Sequence, residues 1–366
     1  MKIELKDKKV FFDNHGSKKE IHPFWLRERV NGDNFVDKGT QQRLFDPTEI
    51  EENIEIDNLN LSEDFLEVTF KDGTYTKLSI DNIFKELSNN NEIKFIDKIE
   101  WDSSLKNFNN FVFKDNFFEE KEMYKALVNF YQYGFVIFKK VPTKNNFIVN
   151  FANSIGSIRR TNFGEFFDVK SKPNPNDLAY TSLPLAPHTD NPYRNPVPCI
   201  QMLHCIENEV SGGFSTLVDG YTVTQKLKDE FPDFYKILSE TKVRFQFIDQ
   251  TVVLENWAEM IQLDKNENFK QVRFSPRLDF VPLLDKEKLE LYYTARKKIS
   301  ELYNSDKYRI EFKLSKGDLL MMDNHRLLHG RTMYDANEGN RFLQGCYIDY
   351  DSTEGKLKHL KRKFNL

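Results

Sequence analysis

Cysteine is scarce in this chain of 366 residues: there are three, Cys199, Cys205 and Cys346, and no two form a C-x-x-C pair. An odd, widely spaced set excludes a disulfide framework and a zinc ribbon. Long apolar runs are missing as well, so no segment reads as a transmembrane helix. The first residues, MKIELKDKKVFFDN, carry charges where a leader needs an apolar stretch, and the expected location is cytoplasmic. An excess of one sign of charge is also lacking. Lys and Arg number 53 against 57 Asp and Glu, a net charge of −4, which offers no global basic field to a nucleic acid. One basic segment, Lys356–Phe364, reads as a helix docked by Leu357, Leu360 and Phe364 rather than as a nucleic-acid or membrane surface.

What the chain does have is a globular profile, 39% hydrophobic and 30% charged, with 33 phenylalanines. Residues 1–14 read as a hairpin, followed by His22-Pro23-Phe24-Trp25-Leu26-Arg27 and a polar loop. Leu66, Val68 and Phe70 alternate on a strand, Asp72-Gly73 marks a hairpin turn, and Leu78 and Ile80 lie on the return. Asp81 can cap a short helix. This gives a small β-rich domain over 1–92, closed by an Asn-rich boundary at 88–92. The second domain, 93–366, begins with a helix over 119–133 whose Met123, Leu127 and Phe130 share one face. Gly134 stops it, and a buried strand Phe135–Phe138 and a helix over 145–154 follow. Short strands punctuated by Gly and Pro then continue to about Asp351. The fold class expected is mainly β with helices (α+β), a double-sheet barrel or jelly roll with helices over one face.

The chemistry centres on His188-Thr189-Asp190. On an extended segment a His and an Asp one residue apart point to the same side, which supplies two thirds of the 2-His-1-carboxylate triad of non-haem Fe(II) oxygenases. A distant His must complete it. His325 and His329 both follow the apolar run Leu319–Met322, and the glutamate of a zinc-type H-E-x-x-H site is absent. Arg341 opens a later strand, where a guanidinium could hold the far carboxylate of a 2-oxoglutarate cosubstrate bidentately. Ser215 and Thr216 offer nearby hydroxyls.

In order, H-T-D at 188–190, G-G-x-S at 212–215, D-N-x-R-L-L-H-G-R at 323–331 and R-x-L-x-G-x-Y at 341–347 resemble the TauD/TfdA superfamily of Fe(II)/2-oxoglutarate dioxygenases. The closest resemblance is to its γ-butyrobetaine hydroxylase and trimethyllysine hydroxylase branch. W-L-R at 25–27, Y-G-F-V-I-F at 133–138, L-H-C-I at 203–206 and V-D-G-Y at 218–221 extend it over most of the chain. The resemblance implies a jelly-roll catalytic domain, iron held by His188, Asp190 and His329, O2 as the other cosubstrate, and 2-oxoglutarate bound by Arg341 with Ser215 or Thr216 and Leu203. It implies that His325 is not a ligand and that His204 is a hydrogen-bonded barrel histidine. Relatives are often homodimers. Eukaryotic members bind zinc through three Cys and one His just after W-L-R. Here Glu28–Asn34 holds no Cys, so the small domain must cohere by its own core or by packing on a partner.

The branch acts on trimethylammonium compounds, which aromatic faces recognise through cation–π attraction. The residues matching its aromatic cage are Phe163, Phe167, Tyr180 and Tyr347, although Phe163 and Phe167, four apart, would also suit a core turn. Asp177 upstream would favour a cation, or simply form a turn beside Pro173 and Pro175. Asn191, Arg194 and Arg277 could take the substrate's acid end. The expected substrate is a small trimethylammonium zwitterion such as γ-butyrobetaine. A trimethylammonium phosphonate, trimethyllysine or a sulfonium or sulfonate compound are the alternatives, and a metabolite-binding barrel without turnover is the non-enzymatic one.

Overall fold

The computed structural model describes residues 2–88, 96–108, 110–170 and 181–366. The chain divides into two compact units, Met1–Lys94 and Phe95–Leu366.

The first unit holds two three-stranded antiparallel sheets. One is Lys2–Lys6, Lys9–Asn14 and Ser17–Ile21; the other is Ile56–Leu61, Phe65–Phe70 and Tyr75–Ser79. A short helix, Pro23–Arg27, and a longer one, Ile80–Ser88, accompany them. Alternation drives the burial. Leu66, Val68 and Phe70 join Val10, Phe12, Leu26 and Ile83 in one core. The Trp-Leu-Arg stretch is structural here. Leu26 is buried, the Arg27 Nε donates to Asp72 at 2.8 Å, and the Arg29 guanidinium lies 3.7 Å from the Trp25 ring centre. Apolar packing and these contacts stand where Cys ligands are absent.

The second unit is a strand-rich α/β body. A six-stranded sheet runs in the order Asn110–Val112, Phe135–Lys139, Leu319–Asp323, Ile200–Asn208, Arg341–Ile348, Phe167–Val169. A four-stranded sheet runs Leu185–His188, Leu327–Arg331, Ser215–Asp219, Arg309–Phe312. Ile137, Leu320, Met322 and Leu343 of the first share a core with Leu217, Ile310 and Leu327 of the second. The opposite face of the larger sheet is covered by helices Lys121–Tyr133, Phe147–Asn153 and Tyr350–Phe364, whose Phe130, Phe151, Leu357 and Leu360 pack on Phe138, Met202 and Met321. Leu357 and Leu360 are buried, so the basic C-terminal helix is docked by its apolar stripe. Gly134 ends the first of these helices at φ +81°, a conformation glycine adopts without a Cβ penalty.

Both faces of the unit carry helices, where one covered face was expected. Gly220–Glu230, Pro232–Glu240 and Lys286–Tyr303 lie over the smaller sheet. In the last of them Tyr292, Ala295, Ile299 and Tyr303 are buried at spacings of three and four. Two tyrosines in that stripe hide the apolar period among charged neighbours, which is why the reading in terms of strands passed over it.

A buried ion pair ties these layers together. The Arg326 guanidinium donates to both Asp219 oxygens, at 2.9 and 2.7 Å, and to the carbonyls of Gln132 and Ile99, at 2.7 and 2.6 Å. Asp219 also caps the helix that follows it, accepting from the Tyr221 N–H. Arg326→Met leaves the Asp219 charge buried without its partner. It should cost about 3–5 kcal/mol in urea unfolding, whereas Lys226→Ala, which breaks an exposed pair with Glu230, should leave the midpoint nearly unchanged.

Candidate active site

The smaller sheet brings two imidazoles together by register. His188 and His329 are direct partners in the antiparallel pair Leu185–His188 and Leu327–Arg331, with ring centres 4.4 Å apart. The strand does not continue to Asp190, as simple alternation from His188 would have it. Regular pairing stops at His188, the Thr189 N–H donates to Phe274 O at 2.9 Å, and Asn191 has φ +53°. Asn324 fixes this irregular backbone: its Oδ1 accepts from Asp190 N–H at 2.7 Å and its Nδ2 donates to Asp190 O at 3.1 Å. The carboxylate thereby faces the rings, with Oδ1 3.5 Å from His188 Nε2 and 3.7 Å from His329 Nε2.

These three ligand atoms lie within 4.8 Å of one another. His188 Nδ1 meets the Ala186 carbonyl at 2.9 Å, which assigns the proton to Nδ1 and turns the Nε2 lone pair towards Asp190. Burial opposes charge on Asp190, but the His329 and His188 rings and the Tyr347 hydroxyl outweigh it and hold the carboxyl well below its ordinary range. Burial pushes His329 down to about 4, so its ring is neutral at physiological pH. Two imidazole nitrogens and a carboxylate oxygen converge here, and a cation among them would take a bond from each. Two imidazoles and one carboxylate with open positions form the donor set that suits Fe(II).

The triad sits on the wall of a cavity of about 400 Å³. Arg341 lines it, and burial followed by its neighbour Arg331 lowers its pKa to about 10, which leaves it charged. Its hydrogen bond is to Gly213 O at 3.3 Å, and no carboxylate among the described residues pairs with it. Leu203 and Ser215 line the same space. Thr216 does not: one residue along the strand, it points to the opposite face, and of the two hydroxyls Ser215 is the one in the cavity. Phe163, Phe167, Tyr347, Asn191 and Arg277 are all lining residues. Arg194 is not; its guanidinium is engaged by Asn162 outside the cavity. Asp177 and Tyr180 lie outside the described residues.

The aromatic wall is larger than expected. Phe163 and Phe167 are 6.4 Å apart, Phe167 and Tyr347 5.5 Å, Phe163 and Phe247 5.8 Å, and Tyr193 stacks on Phe247 at 5.0 Å. Gly345 makes room for it, because a Cβ there would come within 2.5 Å of the Phe167 ring. Tyr193 and Phe247 were missed. Phe247 continues the Val243–Phe245 alternation and reads as core, while Tyr193, three residues past Asp190, was open to notice. Gln201 was missed too, although a lone amide in the apolar strand Ile200-Gln201-Met202-Leu203 is a signal that a partner waits inside. It donates to Asp190 Oδ2.

The other histidines divide. His325 contacts Val197 O at 3.1 Å through Nε2 and packs edge-on against Tyr350, away from the triad. His204 is buried in the sheet, and burial lowers its pKa to about 4, opposed by a hydrogen bond to the Val141 backbone.

Residues 103–347 match the family model described as taurine catabolism dioxygenase TauD, TfdA family. The chain belongs to the TauD/TfdA dioxygenase family. Within it, the chain is 35% identical to a gamma-butyrobetaine dioxygenase of Pseudomonas sp. (strain AK-1) over 61% of this chain and 58% of that one. It is 29% identical to the human gamma-butyrobetaine dioxygenase over 93% of this chain and 90% of that one. It is 28% identical to the mouse mitochondrial trimethyllysine dioxygenase over 90% and 80%. A solved asparagine oxygenase, in complex with Fe(II), 2S,3S-3-hydroxyasparagine and succinate, is 12% identical with a TM-score of 0.50, covering 66% of this chain and 93% of that chain. At that identity the likeness is one of fold.

Two substitutions separate the roles in this TauD/TfdA site. His188→Ala should abolish Fe(II) binding, read by calorimetry, together with substrate-dependent succinate release. Arg341→Ala should raise the 2-oxoglutarate requirement by roughly 10- to 150-fold, the loss of a charge-assisted pair of about 1.5–3 kcal/mol, with little change in the substrate requirement.

Proposed function

We propose that this protein is an Fe(II)- and 2-oxoglutarate-dependent dioxygenase that hydroxylates a C–H of a small trimethylammonium zwitterion, with γ-butyrobetaine as the first candidate. The observation that carries the reading is the lining of the cavity. Beside the triad stand five aromatic rings, and Asp190 is the only carboxylate among the described lining residues. A primary amine would call for an acid to accept its hydrogen bonds. A quaternary ammonium has no hydrogen to donate and is held by ring faces, at about 2 kcal/mol or more when desolvated.

His188, Asp190 and His329 would hold the iron, which with 2-oxoglutarate activates O2 and leads to a hydroxyl on a substrate carbon, with succinate and CO2 released. The protein's own residues do the aiming. Arg341 holds the far carboxylate of 2-oxoglutarate, with Ser215 beside it. Phe163, Phe167, Tyr193, Phe247 and Tyr347 hold the ammonium end. Asn191 and Arg277 supply donors for the acid end. The Asn191 side chain is buried beside the Tyr347 hydroxyl, and no carboxylate among the described residues pairs with Arg277. Two anchors of opposite character set which carbon faces the metal, the positional control that turns binding into rate. The guanidinium of Arg277 also supports a second reading, a trimethylammonium phosphonate, since a planar fork suits that oxyanion as well as a carboxylate.

On the same footing we read the two packed sheets as a double-stranded β-helix, and the first unit as a zinc-free counterpart of the branch's small domain that helps pair two subunits. Light scattering of the purified chain tests the dimer.

Succinate release across γ-butyrobetaine, its phosphonate analogue and the tert-butyl isostere of γ-butyrobetaine, whose head carries no charge, tests the substrate. The two trimethylammonium compounds should turn over and the isostere should not; equal turnover of the isostere would sink the cage. Phe247→Ala should raise the substrate KM roughly 5- to 30-fold, the range for loss of one desolvated cation–π face, and leave the 2-oxoglutarate requirement unchanged.

A further inference from the structure

We propose that Gln201 and Tyr347 are positioning residues that confine Asp190 to a single ligating oxygen. The inference rests on the reading of His188, Asp190 and His329 as the metal site. Gln201 and Tyr347 are direct partners in the antiparallel ladder between Ile200–Asn208 and Arg341–Ile348, so their side chains leave the sheet side by side. Both are almost wholly buried, at 3% and 4% exposure. Both donate to the same atom: the Tyr347 hydroxyl meets Asp190 Oδ2 at 2.6 Å, and the Gln201 amide nitrogen meets it as well. Oδ1 is left to face the imidazoles.

The Gln201 amide has one attractive orientation here, since turning it over would set Oε1 against an anion. Its Oε1 finds no partner among the described residues, so the carboxylate is what orients the side chain. A buried amide on an apolar strand is costly unless it is hydrogen-bonded, and the hydrogen bond it makes is this one. The backbone of Asp190 cannot compensate by swinging, because Asn324 holds both its N–H and its carbonyl.

The chemical consequence concerns free positions on the metal. A carboxylate that chelates through both oxygens takes a position that a bidentate cosubstrate or O2 would need. To chelate, Asp190 would have to give up two donors at once. Tyr347 also packs its ring 5.5 Å from Phe167, so the same residue forms part of the cavity wall and part of this clamp.

The test uses the full chain loaded with Mn(II), and compares wild type with Gln201→Leu, Tyr347→Phe and the double variant. Mn(II) affinity is read by calorimetry and metal-bound exchangeable water by proton relaxation. Each single variant should weaken Mn(II) binding roughly tenfold, the usual effect of removing a partner of a metal ligand. The double variant should lose about one of the roughly three waters that a facial triad leaves room for. A purely structural role would lower the melting temperature and leave the water number alone, and a double variant with the wild-type water number overturns the proposal. Should the double variant fail to fold, the single variants decide, and unchanged Mn(II) affinity in both is the overturning result. A His188→Ala control separates the two levels: if it too binds Mn(II) as wild type does, the metal-site reading fails, not the clamp.

Discussion

Everything in the site depends on how one carboxylate is held. Asp190 lies just past the end of a strand, where backbone direction is not set by a ladder, and its position is set instead by hydrogen bonds from three separate stretches of chain. Asn324 holds its backbone, and Gln201 and Tyr347 hold its outer oxygen. Thr189, the residue before it, exchanges hydrogen bonds with Phe274 through its N–H and its hydroxyl. The loop is irregular in shape but over-determined in its contacts. That combination lets a carboxylate face two imidazoles in a buried place, an arrangement that unsupported backbone would relax away from.

The cavity works by what it leaves out as much as by what it contains. Two buried guanidiniums, Arg331 and Arg341, and Arg277, which pairs with no carboxylate among the described residues, give it positive charge, and Asp190 is the sole acid among its described lining residues. Arg331 is occupied by the carbonyls of Thr181 and Leu183, at 2.6 and 2.8 Å, which leaves Arg341 and Arg277 for acids brought in from outside. An aromatic wall beside cations, with Asp190 the one acid among the described lining residues, would favour a soft quaternary cation, which finds ring faces, over one that needs several hydrogen-bond acceptors. The abundance of phenylalanine has a second use far from the site, in the cluster of Phe113, Phe117, Phe118, Phe138 and Phe151. Composition alone cannot tell these two uses apart.

Parts of the structure were legible because they rest on local chemistry. The turn at Asp72-Gly73, the helix stopped by Gly134 and the apolar stripe of the C-terminal helix follow from alternation, a glycine stop and a three-to-four spacing. Others were not. The helix Lys286–Tyr303 hides its apolar stripe because two of its four buried residues are tyrosines. Thr216 and Ser215 could not be separated until the strand's facing was known. Arg194 sits in a site motif yet is engaged by Asn162, a partner more than thirty positions away in the chain. Gln201 announced itself as a polar residue in an apolar strand, but its partner was invisible.

The sequence by itself singled out His188, Asp190, His329 and Arg341 as candidate residues and ruled out a cysteine-based metal site in the small domain, because residue type limits which chemistry is open to a position. Tertiary structure alone decided that Phe247 and Tyr193 join the cavity wall, that Ser215 faces it where Thr216 does not, and that one oxygen of Asp190 faces the two imidazoles while the other takes hydrogen bonds. The physical reason is that these outcomes depend on cross-strand register and on donors brought in from distant segments. Neither leaves a periodicity in the chain to be read.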